Sequence, residues 1–443
     1  MRNLVPILFV ALAFGATSCK QFTTDERIAG TSLGLEPIPN RYVVFLASSY
    51  AKPLVDDTTV YNLIADSIAL ARNKNRQKVL DFCNDHHLAV DPSKIYVDVA
   101  VAFVIMMDEG KADSVRSDLR VQSVELDVVI EGKPIQQGKP IQQGKPIQQD
   151  EYGQPQDWGL SLVGDCLTSC AVTHAGGQAN GSGKSSVIWI VDTGIANAQP
   201  NLTVNRELGK NFTVSPPSSD TDDTNGHGTL VAGIAAATRI DWDATQPDIC
   251  IGVSAGATVV PIKVFDALNN SEWSYILAAL DYITRTGRRK DVVNLSFGEY
   301  PITNCNTEIA GLRQTLLNAG KRHFIVMSAG NDSGDANLNL PGCMSGHNLF
   351  TVGAVNCNLN CAAISNFGAP VDYLAVGTDV FSTFLKDPTT NTWTYRVMSG
   401  TSFSAAVISG VIHANNGIPK KGRRIDCGAP TGPIFSYHLG VRN

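Results

Sequence analysis

Between residues 187 and 415 the chain alternates short apolar runs with helical patterns, and this alternation limits the fold more than any other feature. The predicted strands are Val187–Val191, Thr258–Phe265, Val292–Phe297, Phe324–Ala329 and Phe350–Val355, and the predicted helices are His227–Ala237, Glu272–Thr286, Glu308–Asn318 and the run after Ser402. Strands alternating with helices form a parallel sheet covered by helices on both faces. We therefore predict an α/β fold, with a hairpin of Phe381–Phe384 and Trp393–Val397 added to it.

Polar residues follow three of these predicted strands. Asp192 comes directly after Val-Ile-Trp-Ile-Val, Ser296 lies near the end of the strand from Val292, and Asn331 follows Ser-Ala-Gly. Ligands bind outside the carboxyl ends of strands in an open parallel sheet. We expect these side chains to meet at one edge of the sheet.

Two further residues open predicted helices. His227 lies between Gly226 and Gly228, which let another segment approach closely, and Ser402 precedes the apolar run from Phe403 to Ala414. Taken alone, Ser402 is interpreted as a helix N-cap. With Asp192, His227 and Asn331, however, the chain holds a nucleophile, a base, a base-orienting group and an oxyanion donor, which are the parts of an acyl-transfer site.

Residues 41–130 have a different pattern, that of a small α+β ferredoxin-like domain. Its predicted elements are the strand Tyr42–Leu46, the helix Thr58–Asn73, the strand-rich run Ile95–Met107, the helix Ala112–Leu119 and the strand Val121–Val129. The spacing of apolar residues supports each of these assignments.

An internal repeat separates this domain from the larger one, which we place at residues 157–443. Gly-Lys-Pro-Ile-Gln-Gln occurs three times between Gly132 and Gln149, within a linker of residues 131–156. Frequent Pro and Gly predict an extended, exposed segment that is open to proteolytic nicking.

The first 19 residues have the layout of a secretory signal. Met1-Arg2 precedes an apolar run from Leu4 to Ala16 that is too short to cross a membrane. The run ends in Ala-Thr-Ser-Cys, which resembles a bacterial lipoprotein box except that Ala16 replaces the usual Leu. Two outcomes stay open: a secreted protein, or a protein anchored in a membrane by lipid on Cys19.

Ten cysteines fit export better than a reducing compartment. With Cys19 and Cys83 set aside, an even number remains, which favours disulfides. The shortest loops to close are Cys166–Cys170 and Cys357–Cys361, and Cys305–Cys343 is a further candidate pair. Cys166, Cys170 and His174 are evenly spaced, but no fourth ligand at a matching spacing supports zinc.

Two other functions are excluded by the sequence. The net charge is −6 and no block of basic residues is present, so the sequence does not predict a positively charged surface that would bind nucleic acid. Gly183-Lys184-Ser185 is not a phosphate-binding loop, because position 178 is Gln and the motif precedes its strand.

Four segments carry a resemblance to a known family. They are Asp192-Thr193-Gly194, Asn225 to Gly233, Ser328 to Asn331, and Gly400-Thr401-Ser402. They resemble the signatures of subtilases, the subtilisin-like serine peptidases, and Asp, His and Ser follow in the subtilisin order. The resemblance covers 157–415 and, more weakly, 41–130. It departs at Leu230, where the family often has a second His, and at Phe403 to Val407, where Met-Ala-Xaa-Pro-His is usual.

The resemblance implies roles for individual residues. It implies catalysis by Asp192, His227 and Ser402, with His227 hydrogen-bonded to Ser402, and an oxyanion contact from Asn331. It also implies substrate binding by Ser296, Phe297, Gly298, Ser328, Ala329 and Gly330, with apolar or bulky residues preferred on the amino side of the cut bond.

The resemblance also bears on maturation and on metals. It implies that 41–130 is a propeptide that inhibits the enzyme in the same chain, with self-cleavage between Val129 and Asp157, for which Gln149 is one candidate. No catalytic cofactor is expected. Relatives often bind calcium near Thr238–Cys250; its residues Asp241, Asp243 and Asp248 are either such a site or solvated charges.

The sequence thus predicts a monomeric serine endopeptidase that is made as a self-processed zymogen and acts on proteins or peptides. Two rival functions remain. A pseudopeptidase that only binds peptides is disfavoured by the intact Asp, His, Asn and Ser, and an esterase by the lack of a Gly-x-Ser-x-Gly nucleophile elbow.

Overall fold

The computed structural model describes residues 36–56, 65–131, 141–142, 160–163, 166–241, 248–305, 309–428 and 433–443. The predicted signal segment with Cys19, most of the repeat linker and the proposed start of the larger domain at 157 lie outside these ranges. No helix within them is long and apolar enough to cross a membrane.

The N-terminal part is an antiparallel sheet with two helices. Its elements are β1 (Pro37–Leu46), α1 (Ala65–Asp85), β2 (Ile95–Tyr96), β3 (Ala102–Met106), α2 (Glu109–Arg116) and β4 (Val121–Glu131), with the strands in the order β4-β1-β3-β2. α1 continues well past its predicted end at Asn73, because Val79, Phe82 and Cys83 extend its buried stripe. The strand-rich run Ile95–Met107 divides into β2 and β3.

The remaining strands include all those predicted for residues 187–415, together with several that were not predicted. They are β5 (Ile141–Gln142), β6 (Leu160–Val163), β7 (Cys166–Ser169), β8 (Ala179–Asn180), β9 (Ile188–Asp192), β10 (Thr203–Val204), β11 (Lys210–Asn211), β12 (Asp248–Cys250), β13 (Ser254–Ala255), β14 (Thr258–Lys263), β15 (Asn270–Glu272), β16 (Val292–Leu295), β17 (Phe324–Ser328), β18 (Leu349–Val355), β19 (Val371–Val376), β20 (Val380–Lys386), β21 (Trp393–Met398), β22 (Lys420–Gly428) and β23 (Ile434–Val441). The helices are α3 (Cys170–His174), α4 (His227–Ala236), α5 (Trp273–Thr286), α6 (Ala310–Ala319) and α7 (Thr401–Asn415).

The central sheet has the order β10-β14-β9-β16-β17-β18-β19-β23-β22, with β11 also on β14. All neighbours are parallel except β22, which runs antiparallel to β23. The predicted α/β fold with a parallel sheet is confirmed. The predicted hairpin is also present, as β20 and β21.

Helices cover both faces of this sheet, as β9 illustrates. Ile188 and Ile190 pack into the cluster that contains α4 and α7, whereas Trp189 and Val191 pack into the cluster that contains α5 and α6. All four side chains are fully buried, and burial of each stabilises the fold by about 1.5–3 kcal/mol. β9 is therefore apolar on both faces up to Asp192, the first polar residue at its end.

Three disulfides are described in full: Cys170–Cys357, Cys305–Cys343 and Cys361–Cys427. The predicted disulfide Cys305–Cys343 is confirmed. The predicted disulfides Cys166–Cys170 and Cys357–Cys361, which would have closed the shortest loops, are wrong. The fold brings α3 beside the segment after β18 and thus favours the distant partner over the near one. Cys250 is also disulfide-bonded, and Cys83 is a buried free thiol in the N-terminal sheet domain.

The N-terminal sheet packs against α5 and α6. Its strand β4 pairs antiparallel with β15, with Val129 opposite Glu272 and Glu131 opposite Asn270. Asp127 accepts the Ser274 N–H (3.0 Å) in the first turn of α5, and Glu125 accepts the Gly311 N–H (2.8 Å) in the first turn of α6. Two carboxylates from one strand thus cap two helices of the larger part, where free N–H groups and the positive dipole end favour negative charge.

Candidate active site

Asp192 and His227 form a direct pair at the carboxyl end of β9. The Asp192 side chain is 2% exposed, and its two oxygens lie 2.8 and 2.9 Å from His227 Nδ1. One of these oxygens also accepts the Thr193 N–H at 2.8 Å. Because a carboxylate faces Nδ1, the proton of the neutral ring is held there and Nε2 is left as the acceptor.

The pKa of His227 is raised above its ordinary value of 6.5. Burial alone would lower it, but the charge of Asp192, the Asp192 hydrogen bond and the charge of Asp223 together outweigh burial. The imidazolium is therefore stabilised where a base would have to hold a proton.

Asp223 is a residue of this site that the sequence reasoning missed. It is 3% exposed and accepts hydrogen bonds from the Thr193 hydroxyl (2.9 Å), the Gly226 N–H (2.7 Å), and the Thr229 N–H (2.9 Å) and hydroxyl (2.6 Å). These bonds fix the first turn of α4, and hence His227, to the loop after Asp192. The available signal was an acidic residue just before a predicted helix, which is a common capping pattern.

The two glycines beside His227 are required by close packing. Gly226 has φ +106°, and a Cβ there would lie 2.0 Å from the Phe384 ring. A Cβ on Gly228 would lie 2.1 Å from the Gly194 carbonyl oxygen. The predicted close approach of other segments is therefore present on both sides of His227.

Ser402 lies in the first turn of α7 but is not its N-cap. The helix begins at Thr401 with Gly400 as the cap, so the interpretation of Ser402 as an N-cap is wrong. Gly400 takes the cap position because it is the residue with non-helical angles. As the second residue of α7, Ser402 has one of the free N–H groups of a helix start.

The Ser402 hydroxyl does not bond to His227 in this structure. It donates to the Ser296 carbonyl oxygen at 2.9 Å, and no bond to His227 accompanies it among the described contacts. The expected His227–Ser402 hydrogen bond is thus absent, and Oγ must rotate about χ1 to form it. Catalytic hydrogen bonds often form only when substrate is bound. The His227 ring also lies beside Phe403, with ring centroids 5.9 Å apart.

A buried chain of hydrogen bonds holds α7 against β16. The Ser409 hydroxyl donates to Asn294 Oδ1 (2.9 Å), Asn294 Nδ2 donates to the Ser296 hydroxyl (2.7 Å), and that hydroxyl donates to the Ser402 carbonyl (2.8 Å). The hydroxyl of Ser296 is thus committed to positioning Ser402. What Ser296 can offer a ligand is its backbone.

Asn331 has its amide oriented by Thr401. Its Oδ1 accepts both the Thr401 N–H (2.8 Å) and the Thr401 hydroxyl (2.9 Å). Nδ2 remains as the donor of this side chain, and it lies 3.5 Å from the point where a Cβ on Gly400 would be. A donor is therefore held beside the turn that carries Ser402.

A single cleft of about 170 Å³ brings most of the predicted site together. Of the predicted residues, those on its walls are Asp192, His227, Ser296, Phe297, Gly298, Ser328, Gly330, Asn331 and Ser402. Ala329 is not among them, because its side chain is fully buried in the core. The cleft also has walls that were not predicted, including Asn339 and Ile364.

An apolar pocket adjoins this cleft and shares Phe297 with it. Ile130 of β4 is one of its lining residues, together with Trp273, Leu295 and Leu340. The last strand of the N-terminal sheet therefore reaches the neighbourhood of the cleft.

The predicted calcium loop is only partly described. Asp243 lies outside the described residues, and Asp248 forms an ion pair with Arg239 (2.5 Å). No group of three or more His, Cys, Asp or Glu side chains in the described ranges is arranged to hold a metal. Calcium binding stays a prediction.

Comparison with known proteins gives consistent matches. A sequence model described as the Subtilase family matches residues 183–414. The chain is 27% identical over 318 residues to the extracellular serine proteinase of Thermus sp. (strain Rt41A), covering 72% of this chain and 66% of that protein. It is 30% identical over 259 residues to proteinase T of Parengyodontium album (57% and 78% covered) and 31% identical over 236 residues to subtilisin DY of Bacillus licheniformis (53% and 77% covered).

Proposed function

The chain belongs to the subtilase family of serine-type endopeptidases, and we propose that it cuts peptide bonds with Ser402 as nucleophile, His227 as base and Asp192 as the orienting carboxylate. The observation that carries the proposal is the hydrogen-bonded Asp192–His227 pair in the same cleft as Ser402 at the start of α7.

In the proposed reaction, Ser402 Oγ rotates from the Ser296 carbonyl towards His227 Nε2. Nε2 takes the hydroxyl proton as Oγ attacks the peptide carbonyl, and later gives this proton to the leaving amine. Asp192 holds the tautomer and stabilises the imidazolium, in agreement with the raised pKa of His227. The oxyanion is received by the Ser402 N–H and by Asn331 Nδ2.

The substrate main chain would bind as an added strand against Ser296–Gly298, which line the cleft. Phe297 supports a preference for apolar or bulky side chains on the amino side of the cut bond. Protein and peptide substrates fit this open arrangement.

The N-terminal sheet domain would inhibit the enzyme before maturation. Its support is the β4–β15 pairing, the position of Ile130 beside the cleft and the two helix-capping carboxylates. Glu131 pairs with Asn270, next to Asn269 of the cleft wall, and Ile141 pairs with β21, whose last residue Met398 also lines the cleft. These two anchors favour self-cleavage between Glu131 and Ile141, upstream of the candidate Gln149.

We further propose that residues 1–19 direct secretion, which agrees with the extracellular Thermus relative. Lipid on Cys19 would keep the enzyme at a membrane, and the enzyme would act as a monomer. The proposed activity is tested by incubating the processed protein with internally quenched fluorescent peptides and with esters of the same acyl groups, and by measuring hydrolysis of each. Cleavage within peptides supports it, whereas ester hydrolysis without peptide cleavage favours an esterase, and binding without turnover a pseudopeptidase.

The pH dependence of activity should report on His227. Only the neutral ring can accept the Ser402 proton, so kcat/KM should be low in acid and rise through a midpoint above 6.5. Folding stability should change with pH in the opposite direction to activity. Because the pKa of His227 is higher in the folded protein than in the unfolded chain, His227 stabilises the fold below pH 6.5, and this contribution is lost as the pH rises through its folded-state pKa. The measurement is kcat/KM from pH 5 to 10; a midpoint below 6.5 would contradict the described environment.

Asn331→Ala should lower kcat by about 10²–10³ with little change in KM, because the oxyanion donor acts in the transition state. Thr401→Val is the matched control, since it removes a hydroxyl bonded to Asn331 Oδ1 but keeps the amide donor. Equal losses in the two variants would mean that Asn331 acts only by holding Thr401.

Asp127→Ala should loosen the contact between the N-terminal sheet and α5. It removes the acceptor of the Ser274 N–H, a loss of about 1 kcal/mol for a helix cap, and it also removes the buried partner of Arg41 Nε at 2.8 Å. In the uncut Ser402→Ala chain, hydrogen exchange in the first turn of α5 should then be at least about five times faster. Asp113→Ala, which removes an exposed carboxylate of α2, should leave that exchange unchanged.

A further inference from the structure

We propose that the outer edge of β21 is a docking site for the Gly-Lys-Pro-Ile-Gln-Gln repeat of this chain, and that the second and third copies exchange on it. The site takes an extended peptide by strand addition, and it is separate from the triad. Strand addition to an exposed sheet edge is a general way in which proteins bind extended peptides.

The second copy of the repeat is already seated there. Ile141 and Gln142 form β5, which pairs antiparallel with β21 through Ile141 opposite Tyr395 and Gln142 opposite Thr394. The other edge of β21 is occupied by β20. The repeat therefore adds a third strand to a two-stranded hairpin.

The acceptor strand is held rigidly. Tyr395 is fully buried, donates its hydroxyl to Asn201 Oδ1 (3.0 Å) and stacks on Phe381 with centroids 5.5 Å apart. On β20, the hydroxyls of Ser382 and Thr383 donate to carbonyls of α4 at 2.7 and 2.9 Å. A fixed hairpin whose outer edge takes β5 offers backbone donors and acceptors without reorganisation.

The repeat is suited to such short pairing. Pro140 lacks an N–H, so the backbone hydrogen bonds that the second copy donates to a neighbouring strand begin at Ile141. Lys139 precedes Pro140 and is therefore biased towards an extended backbone. The third copy has the same groups at Pro146, Ile147 and Gln148. An edge that pairs through backbone groups cannot distinguish two copies of the same sequence.

Exchange changes the chain length between the β4–β15 pairing and the pairing on β21. Glu131 is held on β15, while β21 ends at Met398 in the cleft wall. Docking of the third copy in place of the second adds one repeat, up to about 20 Å of extended chain, to this connection. If self-cleavage occurs between Glu131 and Ile141, as proposed above, both copies stay with the peptidase and docking continues in the mature enzyme.

Cysteine trapping tests the exchange without any need for catalysis. In the uncut Ser402→Ala chain, Thr394→Cys is combined with either Gln142→Cys or Gln148→Cys and oxidised. Directly opposed residues of an antiparallel pair have Cβ atoms within disulfide reach. Both pairs should give the disulfide-linked peptide by mass spectrometry. The control pair Thr390→Cys with Gln148→Cys, in which Thr390 lies in the hairpin turn off the edge, should not.

Trapping at Gln142 alone would show a fixed register and overturn the exchange, and trapping at neither would overturn the site. Hydrogen exchange over residues 393–398 gives a second measurement that needs no new cysteine. Ile141→Pro alone and Ile147→Pro alone should keep the protection of β21, whereas the double variant should lose it. Loss of protection in the Ile141→Pro variant, or full protection in the double variant, would contradict the proposal.

Discussion

Ser402→Ala is expected to lower kcat by about 10⁶, the size of loss known for the nucleophile of such triads, and to leave the chain at full length. The change removes the only atom that can form the acyl-enzyme in the proposed mechanism. It leaves the packing nearly intact, because the hydroxyl makes one bond, to the Ser296 carbonyl. Turnover of a quenched peptide and the mass of the purified chain provide the two readouts.

Ser404→Ala is the matched control for this variant. Ser404 lies on the same helix, is fully buried and also donates to a backbone carbonyl, that of Ala375, at 3.1 Å. It should retain activity and processing. If the Ser402→Ala chain were processed to the same length as the wild type, self-cleavage through Ser402 would be refuted. Another peptidase would then have to be responsible for the cleavage.

Asp192→Asn is expected to lower kcat by about 10⁴ while the fold is kept. The new amide oxygen can accept the Thr193 N–H as the carboxylate does, which turns its NH₂ group towards His227 Nδ1. Nδ1 must then act as the acceptor, and the proton moves to Nε2, where it blocks proton transfer from Ser402. The loss of charge should also lower the pKa of His227, which Asp192 raises.

Asp222→Asn is the control, because Asp222 is a carboxylate of the loop before α4 that accepts the Asn197 N–H and is not paired with His227. The measurements are kcat and the pH profile of kcat/KM. A profile that keeps its midpoint in Asp192→Asn would show that Asp192 does not set the charge state of His227, whatever the loss in rate.

Five neighbouring strands of the central sheet (β14, β9, β16, β17 and β18) could be predicted because they are rich in apolar residues on both faces, whereas β10, β11 and β19 were not predicted. Runs such as Val187–Val191 leave few alternatives, and a polar residue at or just past the end of a predicted strand marks the carboxyl edge of the sheet. This reasoning selected Asp192, Ser296 and Asn331 from the sequence, and all three line one cleft.

Other features depend on contacts that no local pattern records. Asp223 lies in a run of polar residues, and only the fold reveals that it ties Thr193 to α4. The Ser402 hydroxyl has competing acceptors, and local sequence cannot tell that the Ser296 carbonyl is taken first. Disulfide partners such as Cys170 and Cys357 are brought together by packing and not by sequence distance.

The C-terminal strands were missed for a different reason. β22 reads Lys-Lys-Gly-Arg-Arg-Ile-Asp-Cys-Gly, and such charge is typical of an exposed edge strand. β23 alternates exposed and buried residues over a short length. Both strands owe their place to pairing with each other and with β19, which is a tertiary effect.

The most direct test of the catalytic assignment is to label the processed wild-type protein with a fluorophosphonate and locate the adduct by peptide mass spectrometry. The probe forms a stable bond with an activated serine and releases fluoride. The proposed mechanism predicts one adduct, on Ser402, with strong loss in Asp192→Asn and none in Ser402→Ala. A processed wild-type protein that stays unlabelled, or one labelled at another serine, would contradict it.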